Sequence, residues 1–134
     1  MRPAATTGMR HVAFFVKDLE ACEQFYVELM GMAVEWRPDP DNVYLSGGND
    51  NLALHRATFT PAAADQQKLD HIGFIVDKIG DVDDWFAYLK EHGVRMRNDP
   101  RTHRDGARSF YCFDPDDIVV QIIYHPPLSD KASV

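Results

Sequence analysis

Two histidines stand 60 residues apart in closely similar surroundings, His11 in RHVAFFVKD and His71 in LDHIGFIVD. Each sits at the mouth of a run rich in Val, Ile and Phe that closes on an acidic residue able to open a helix. The same offset pairs Val16 with Val76, Phe25 with Trp85 and Leu29 with Leu89, so the chain carries an internal duplication. Gln121 is the one polar side chain in the run IVVQII. Two imidazoles on duplicated strands and one oxygen donor from a third strand make the ligand count of a facial metal site. Such a site draws its donors from separate rigid elements, which leaves one side of the ion open to substrate. The competing reading is structural, because a lone histidine at a strand entrance is commonly a hydrogen-bonded framework residue; the repetition sets these two apart.

The elements that must position these residues follow the duplication. The first copy begins with a strand over about Met9 to Val16, after which Asp18 caps a helix through about Met30. Leu19, Cys22, Phe25, Tyr26 and Leu29 form its apolar stripe, and Gly31 stops it. Short extended pieces follow near Ala33 to Arg37, Val43 to Ser46 and Asn51 to Arg56, separated by the turn-formers PDPDN and GGNDN. A connector from about Ala57 to Gln67 lacks periodicity and carries Pro61. The second copy repeats the order: a strand from about Asp70 to Val76, a helix from about Asp81 to Glu91, and strands near Val94 to Asn98, Ala107 to Phe113 and Ile118 to Tyr124. Its helix buries Val82, Trp85, Phe86 and Leu89 and turns Asp83, Lys90 and Glu91 to water. DPDD from Asp114 is a tight turn, and residues before Met9 and after about Pro126 read as loosely held ends. Asp18, Asp77 and Asp81 precede helices, where capping explains them better than acid–base work.

Strand alternation places His11 on one face with Ala13 and Phe15, His71 with Gly73 and Ile75, and Gln121 with Val119 and Ile123. At 134 residues and 45% apolar composition, one domain over residues 1–134 is expected, with modules of about 9–58 and 69–125 sharing a core. The net charge of −7 and the lack of any Lys or Arg run disfavour nucleic acid and anionic membrane as partners, and favour a small molecule. Cys22 and Cys112 are too few for a disulfide scaffold and lack zinc-site spacing, which points to a reducing cytoplasm. No apolar run approaches the roughly 20 residues of a membrane helix, and MRPAATTG lacks the apolar centre of a signal peptide. No Gly-rich phosphate loop and no GxSxG elbow is present.

HVAFFVKDLEACEQFYVELMGM, LDHIGFIVD and the closing FYCFDPDDIVVQIIY resemble the vicinal oxygen chelate superfamily of glyoxalases, bleomycin-resistance proteins and extradiol dioxygenases, from about Met9 to His125. The resemblance implies an α+β fold of two tandem βαβββ modules forming a cupped mixed sheet, with a divalent metal that chelates two neighbouring oxygens of the substrate. It implies homodimers, as members commonly pair. It matches His11 and His71 to the family's histidine ligands and Gln121 to the place where the family usually has glutamate. An amide offers a dipole where a carboxylate offers charge, so the metal should be held more weakly. Counting back 18 residues from His71, to where glyoxalases carry a fourth, acidic ligand, lands on Ala53, which cannot ligate; His55, two residues on, is the candidate additional donor.

The set of two histidines and one oxygen donor resembles the extradiol ring-cleaving type, with ferrous iron as the expected ion and manganese, nickel or zinc as alternatives. Catalytic candidates are then Tyr111, a phenol on a strand flanking Gln121, and His103 in the charged loop Asp99 to Gly106. A metal-free small-molecule binding protein, as the bleomycin-binding branch implies, or a glyoxalase-type lyase are the alternatives. Gln121 favours the metal-free reading and the paired histidines favour the enzyme.

Overall fold

The structure is a computed structural model that describes residues 2–5, 7–63, 66 and 68–129. Contacts divide the chain into two compact units, residues 1–61 and 62–134, and the division falls inside the connector expected around Pro61. Ala64, Asp65 and Gln67 of that connector, and residues 130–134 of the tail, lie outside the described residues.

The first unit contains β1 (His11–Val16), α1 (Leu19–Gln24) continuing as a π-helical turn (Phe25–Leu29), β2 (Ala33–Asp39), β3 (Asn42–Ser46) and β4 (Asn51–Arg56). The second contains β5 (Ile72–Ile75), α2 (Ile79–Glu91), β6 (Arg101–Thr102), β7 (Arg108–Phe113) and β8 (Val119–Tyr124). The strand orders β1-β4-β3-β2 and β5-β8-β7-β6 are the same arrangement twice. In each sheet the first strand of the unit pairs parallel to its last, and the remaining pairs are antiparallel. The duplication read from the histidine spacing is therefore a duplication of topology.

Alternation along the strands divides each sheet into two faces. In the first unit Val16, Val43, Leu45, Leu52 and Leu54 are buried together with Leu19, Cys22, Phe25 and Tyr26 of the helix. In the second, Phe110, Cys112, Val120 and Ile122 are buried along with Val82 and Leu89 of α2, and the Phe86 ring meets Phe110 edge-on at 5.3 Å. Burying each such large apolar side chain stabilises by roughly 1.5–3 kcal/mol. What remains on the opposite faces is the polar and aromatic set described below.

Several expectations about elements need correction. Asp18 does cap α1, its Oδ1 accepting from the Ala21 N–H at 3.0 Å, but the helix widens at Phe25, where the Met30 N–H reaches back five residues to the Phe25 carbonyl. The N-cap of α2 is Lys78, whose N–H donates to Asp81 Oδ2, so Asp81 closes a capping box from inside the helix. Asp83 faces water as expected, and there its carboxylate also receives two bonds from the Arg108 guanidinium, which hold it below the usual carboxylate range. Residues 94–98 form no strand beyond an isolated bridge from Met96 to Cys112, because Asn98 Oδ1 takes the Tyr111 N–H where a strand would offer a carbonyl. A two-residue strand, β6, sits instead inside the charged loop. The chain after Pro126 is tied down as far as Ser129, which is buried and donates its hydroxyl to the Val76 carbonyl at 2.7 Å. Among the described residues no helix is long and apolar enough to cross a membrane.

Candidate functional site

In the second unit, β5 and β8 pair so that Gly73 faces Gln121, and β7 and β8 pair so that Tyr111 faces Gln121. Gly73, Gln121 and Tyr111 thus lie in a row across three strands on the face away from the apolar layer. A Cβ at Gly73 would lie 3.6 Å from Gln121 Oε1, in ordinary contact, which places the amide oxygen directly beside β5. Gln121 is 8% exposed and donates from Nε2 to the Tyr111 hydroxyl at 3.2 Å, which leaves Oε1 as its acceptor. The His71 ring meets the Tyr111 ring edge-on at 5.1 Å, so His71, Tyr111 and Gln121 form one group. Arg97 lies over that phenol, its guanidinium carbon 5.6 Å from the ring centre.

His71 Nδ1 donates to Asp70 Oδ2 at 2.6 Å. Occupying Nδ1 with an acceptor puts the ring's proton there and its lone pair on Nε2, the form that ligates a metal or accepts a proton. The first unit does the same with different partners. His11 Nδ1 donates to Asn51 Oδ1 at 2.7 Å, and the Asn51 amide is oriented by donating Nδ2 to Glu35 Oε1 at 3.2 Å. His55 Nδ1 donates to Asn42 Oδ1 at 2.6 Å, while Asn42 Nδ2 is shared between the two Asp39 oxygens. Two parallel relays of histidine, asparagine and carboxylate therefore lie on one sheet face.

The asparagines come from GGNDN and PDPDN, read in the sequence as turn-formers only. Each is the residue following its turn, at the start of a strand, and no pattern signal identifies it as the histidine's partner. Tyr44, the residue facing Ala53 across β3 and β4, carries no pattern signal either; it holds the place in the first unit that Tyr111 holds in the second. The parallel pairing Ala13 to Ala53 corresponds to Gly73 to Gln121, so the register equates Ala53 with Gln121.

His103 is elsewhere in the second unit, in the loop after β6, with Nε2 3.5 Å from the Ser109 hydroxyl. His92 Nδ1 donates to the Tyr88 carbonyl at the end of α2. A groove of about 280 Å³ lined by Asp84, Trp85 and Tyr88 contains none of the histidines. Among the described residues no group of three or more His, Cys, Asp and Glu side chains is arranged to hold a metal. The second unit brings His71 and the Gln121 amide together around Tyr111, and the first unit holds His11 and His55, each ring anchored through Nδ1. Both cysteines are buried, and burial pushes the Cys112 thiol up to about 12.

Comparison with known proteins agrees with this architecture. Residues 8–122 match the family model described as Glyoxalase/Bleomycin resistance protein/Dioxygenase superfamily. The metallothiol transferase FosB of Staphylococcus epidermidis is 31% identical over 113 residues, covering 82% of this chain and 76% of that protein. The crystal structure of lactoylglutathione lyase from Agrobacterium tumefaciens superposes with a TM-score of 0.77 at 19% identity, over 93% of this chain and 98% of that one. The fosfomycin resistance protein FosX from Mesorhizobium loti gives a TM-score of 0.68 at 21% identity, over 90% and 94%. The chain belongs to the glyoxalase/bleomycin resistance/dioxygenase superfamily, and its two four-stranded mixed sheets are that fold.

Proposed function

We propose that this protein is a metal-assisted enzyme acting on a small molecule with neighbouring oxygens, and that its chemistry is a group transfer or lyase step in place of the ring cleavage expected from the ligand count. The relative at 31% identity bears the name of a metallothiol transferase, which supports a transferase over a dioxygenase. His11, His71 and Gln121 are the proposed metal donors, with Tyr111 beside them. The observation that carries the reading is the grouping of His71 and Gln121 around Tyr111, with the His71 Nδ1 spent on Asp70 Oδ2 at 2.6 Å so that its Nε2 is presented as a donor.

A divalent ion held there would polarise a bound substrate oxygen as a Lewis acid. The chain's own residues have separate tasks. Asp70 and Asn51 hold the two rings in their donor form. The Tyr111 hydroxyl, which already accepts from Gln121 Nε2, keeps its own proton to donate to substrate. Gln121 brings no charge, so the ion is expected to be weakly held and exchangeable.

Metal titration by calorimetry of chelator-treated protein tests this. Fe²⁺ under argon, Mn²⁺, Ni²⁺ or Zn²⁺ should bind at one site per chain, His71→Ala should abolish uptake, and Gln121→Glu should tighten it at least tenfold. Absence of uptake by both the natural protein and Gln121→Glu would overturn the reading. The second reading, a metal-free binding protein, is favoured by one observation: the third donor position holds the amide of Gln121, which brings no charge to an ion. Homodimer formation is part of the proposal, and a monomer in sedimentation at micromolar concentration would refute that part.

A further inference from the structure

We propose that the groove on α2 lined by Asp84, Trp85 and Tyr88 binds a small, free quaternary ammonium compound. The helix sequence builds this groove. Val82, Phe86 and Leu89 recur at i, i+4 and i+7 and take the side that packs on the sheet, where Val82 and Leu89 are fully buried and Phe86 meets Phe110. Asp84, Trp85 and Tyr88 fall at i, i+1 and i+4 on another side, where the two aromatic residues are half-buried and Asp84 is exposed. The groove they line has a volume of about 280 Å³, at the small end of ligand pockets.

The lining has the two components that an organic cation requires. The Trp85 and Tyr88 rings stand with centroids 5.4 Å apart and planes at 89°, so they form two walls of a corner. His92 fixes the second wall: its Nδ1 donates to the Tyr88 carbonyl at 2.8 Å and its ring lies 4.5 Å from the phenol ring. A wall held before binding loses little freedom on binding. Aromatic faces are negative and attract cations, and Asp84 adds a full charge to the same groove. The neighbouring cations are committed elsewhere, Arg108 to Asp83 and Lys90 over the Phe86 ring. Among the described residues no cation pairs with Asp84.

The same lining selects among cations. A primary ammonium entering the groove would exchange water for two hydrocarbon walls and one carboxylate, leaving N–H donors unsatisfied; a quaternary ammonium has none to satisfy. The groove contains no residue of the group around Gln121 and the proposal needs no metal, so it stands or falls separately from the enzymatic reading.

The test uses the full chain carrying Trp36→Phe, in which Trp85 is the one remaining tryptophan. Titrated at pH 8 and constant ionic strength, choline should shift Trp85 emission saturably with a millimolar Kd. Its neutral isostere 3,3-dimethylbutan-1-ol and the primary amine ethanolamine should each bind roughly fivefold more weakly. Asp84→Asn, at an exposed position, should reduce the preference for choline over the isostere to about twofold with the melting temperature unchanged. Phosphatidylcholine vesicles, which present the same headgroup on a surface, should not sediment the protein. The proposal is overturned if choline does not saturate, if the isostere or ethanolamine binds as tightly, if Asp84→Asn leaves the preference intact, or if vesicles capture the protein while free choline leaves the emission unchanged.

Discussion

The two sheets are copies of one arrangement whose open faces have diverged at matching positions. A tyrosine stands opposite the third-donor position in both, Tyr44 facing Ala53 and Tyr111 facing Gln121. On the first face the tyrosine is covered by Trp36, its partner is an alanine, and the carboxylates Glu35 and Asp39 stand nearby. On the second face the tyrosine is covered by the Arg97 guanidinium, and its partner is an amide that bonds its hydroxyl. One face presents a row of rings with two imidazoles, and the other a hydroxyl, an imidazole and a guanidinium. A single backbone plan thus carries two different open faces, because alternation lets the open face change while the buried face keeps its apolar layer.

The comparison breaks first if the two faces are not each backed by a packed layer of their own. Leu54 and Phe110 are fully buried on the closed sides of the first and second sheets. Leu54→Ala should cost about 2–5 kcal/mol and Phe110→Ala about 3–5 kcal/mol in denaturant unfolding. A loss below about 1 kcal/mol for either would show that its face lacks a rigid backing.

Alkaline unfolding tests the second layer more finely. Burial, with the Asp114 charge adding to it, raises the Cys112 thiol from 9.0 to about 12 in the folded chain. The folded state therefore keeps a proton that the unfolded chain releases. Stability is unaffected below pH 9 and falls as pH rises through that window, by at most about 1.4 kcal/mol per unit. Melting curves between pH 8 and 10.5 should show this slope, and Cys112→Ala should flatten it. An unchanged slope would mean that the thiol is not the group responsible.

The smallest expected difference bears on the tyrosines themselves. Tyr111→Phe removes the acceptor of the buried Gln121 amide and should cost about 1 kcal/mol. Tyr44→Phe keeps the ring that stacks on Trp36 and should stay within about 0.5 kcal/mol. Equal effects would erase the distinction drawn between a ring face and a hydroxyl.

Much of the plan was legible from residue patterning. Period-2 runs located β2 to β4 within two residues, and the 60-residue offset revealed the repeated topology. Alternation also put Gln121 and His71 on definable faces. What patterning does not carry is register, since knowing a residue's face leaves its cross-strand neighbour open. Asn51 against His11, and Asn42 against His55, are such neighbours, and both asparagines sit where turn chemistry explains them sufficiently. The break at residues 94–98 was illegible for a related reason: it depends on the Asn98 side chain standing in for a backbone acceptor. The π-helical turn at Phe25 has no signal in the residues that form it.

The strand order has a consequence for biosynthesis. In the first sheet β2 and β1 are the two outer strands. The flank formed by β2 ends in Arg37, Pro38 and Asp39, which discourage a further strand from joining, whereas β1 reads HVAFFV and has no such guard. Chains emerging together can zip along that unguarded flank, and a lysine at Ala13 should therefore raise the soluble yield of this protein.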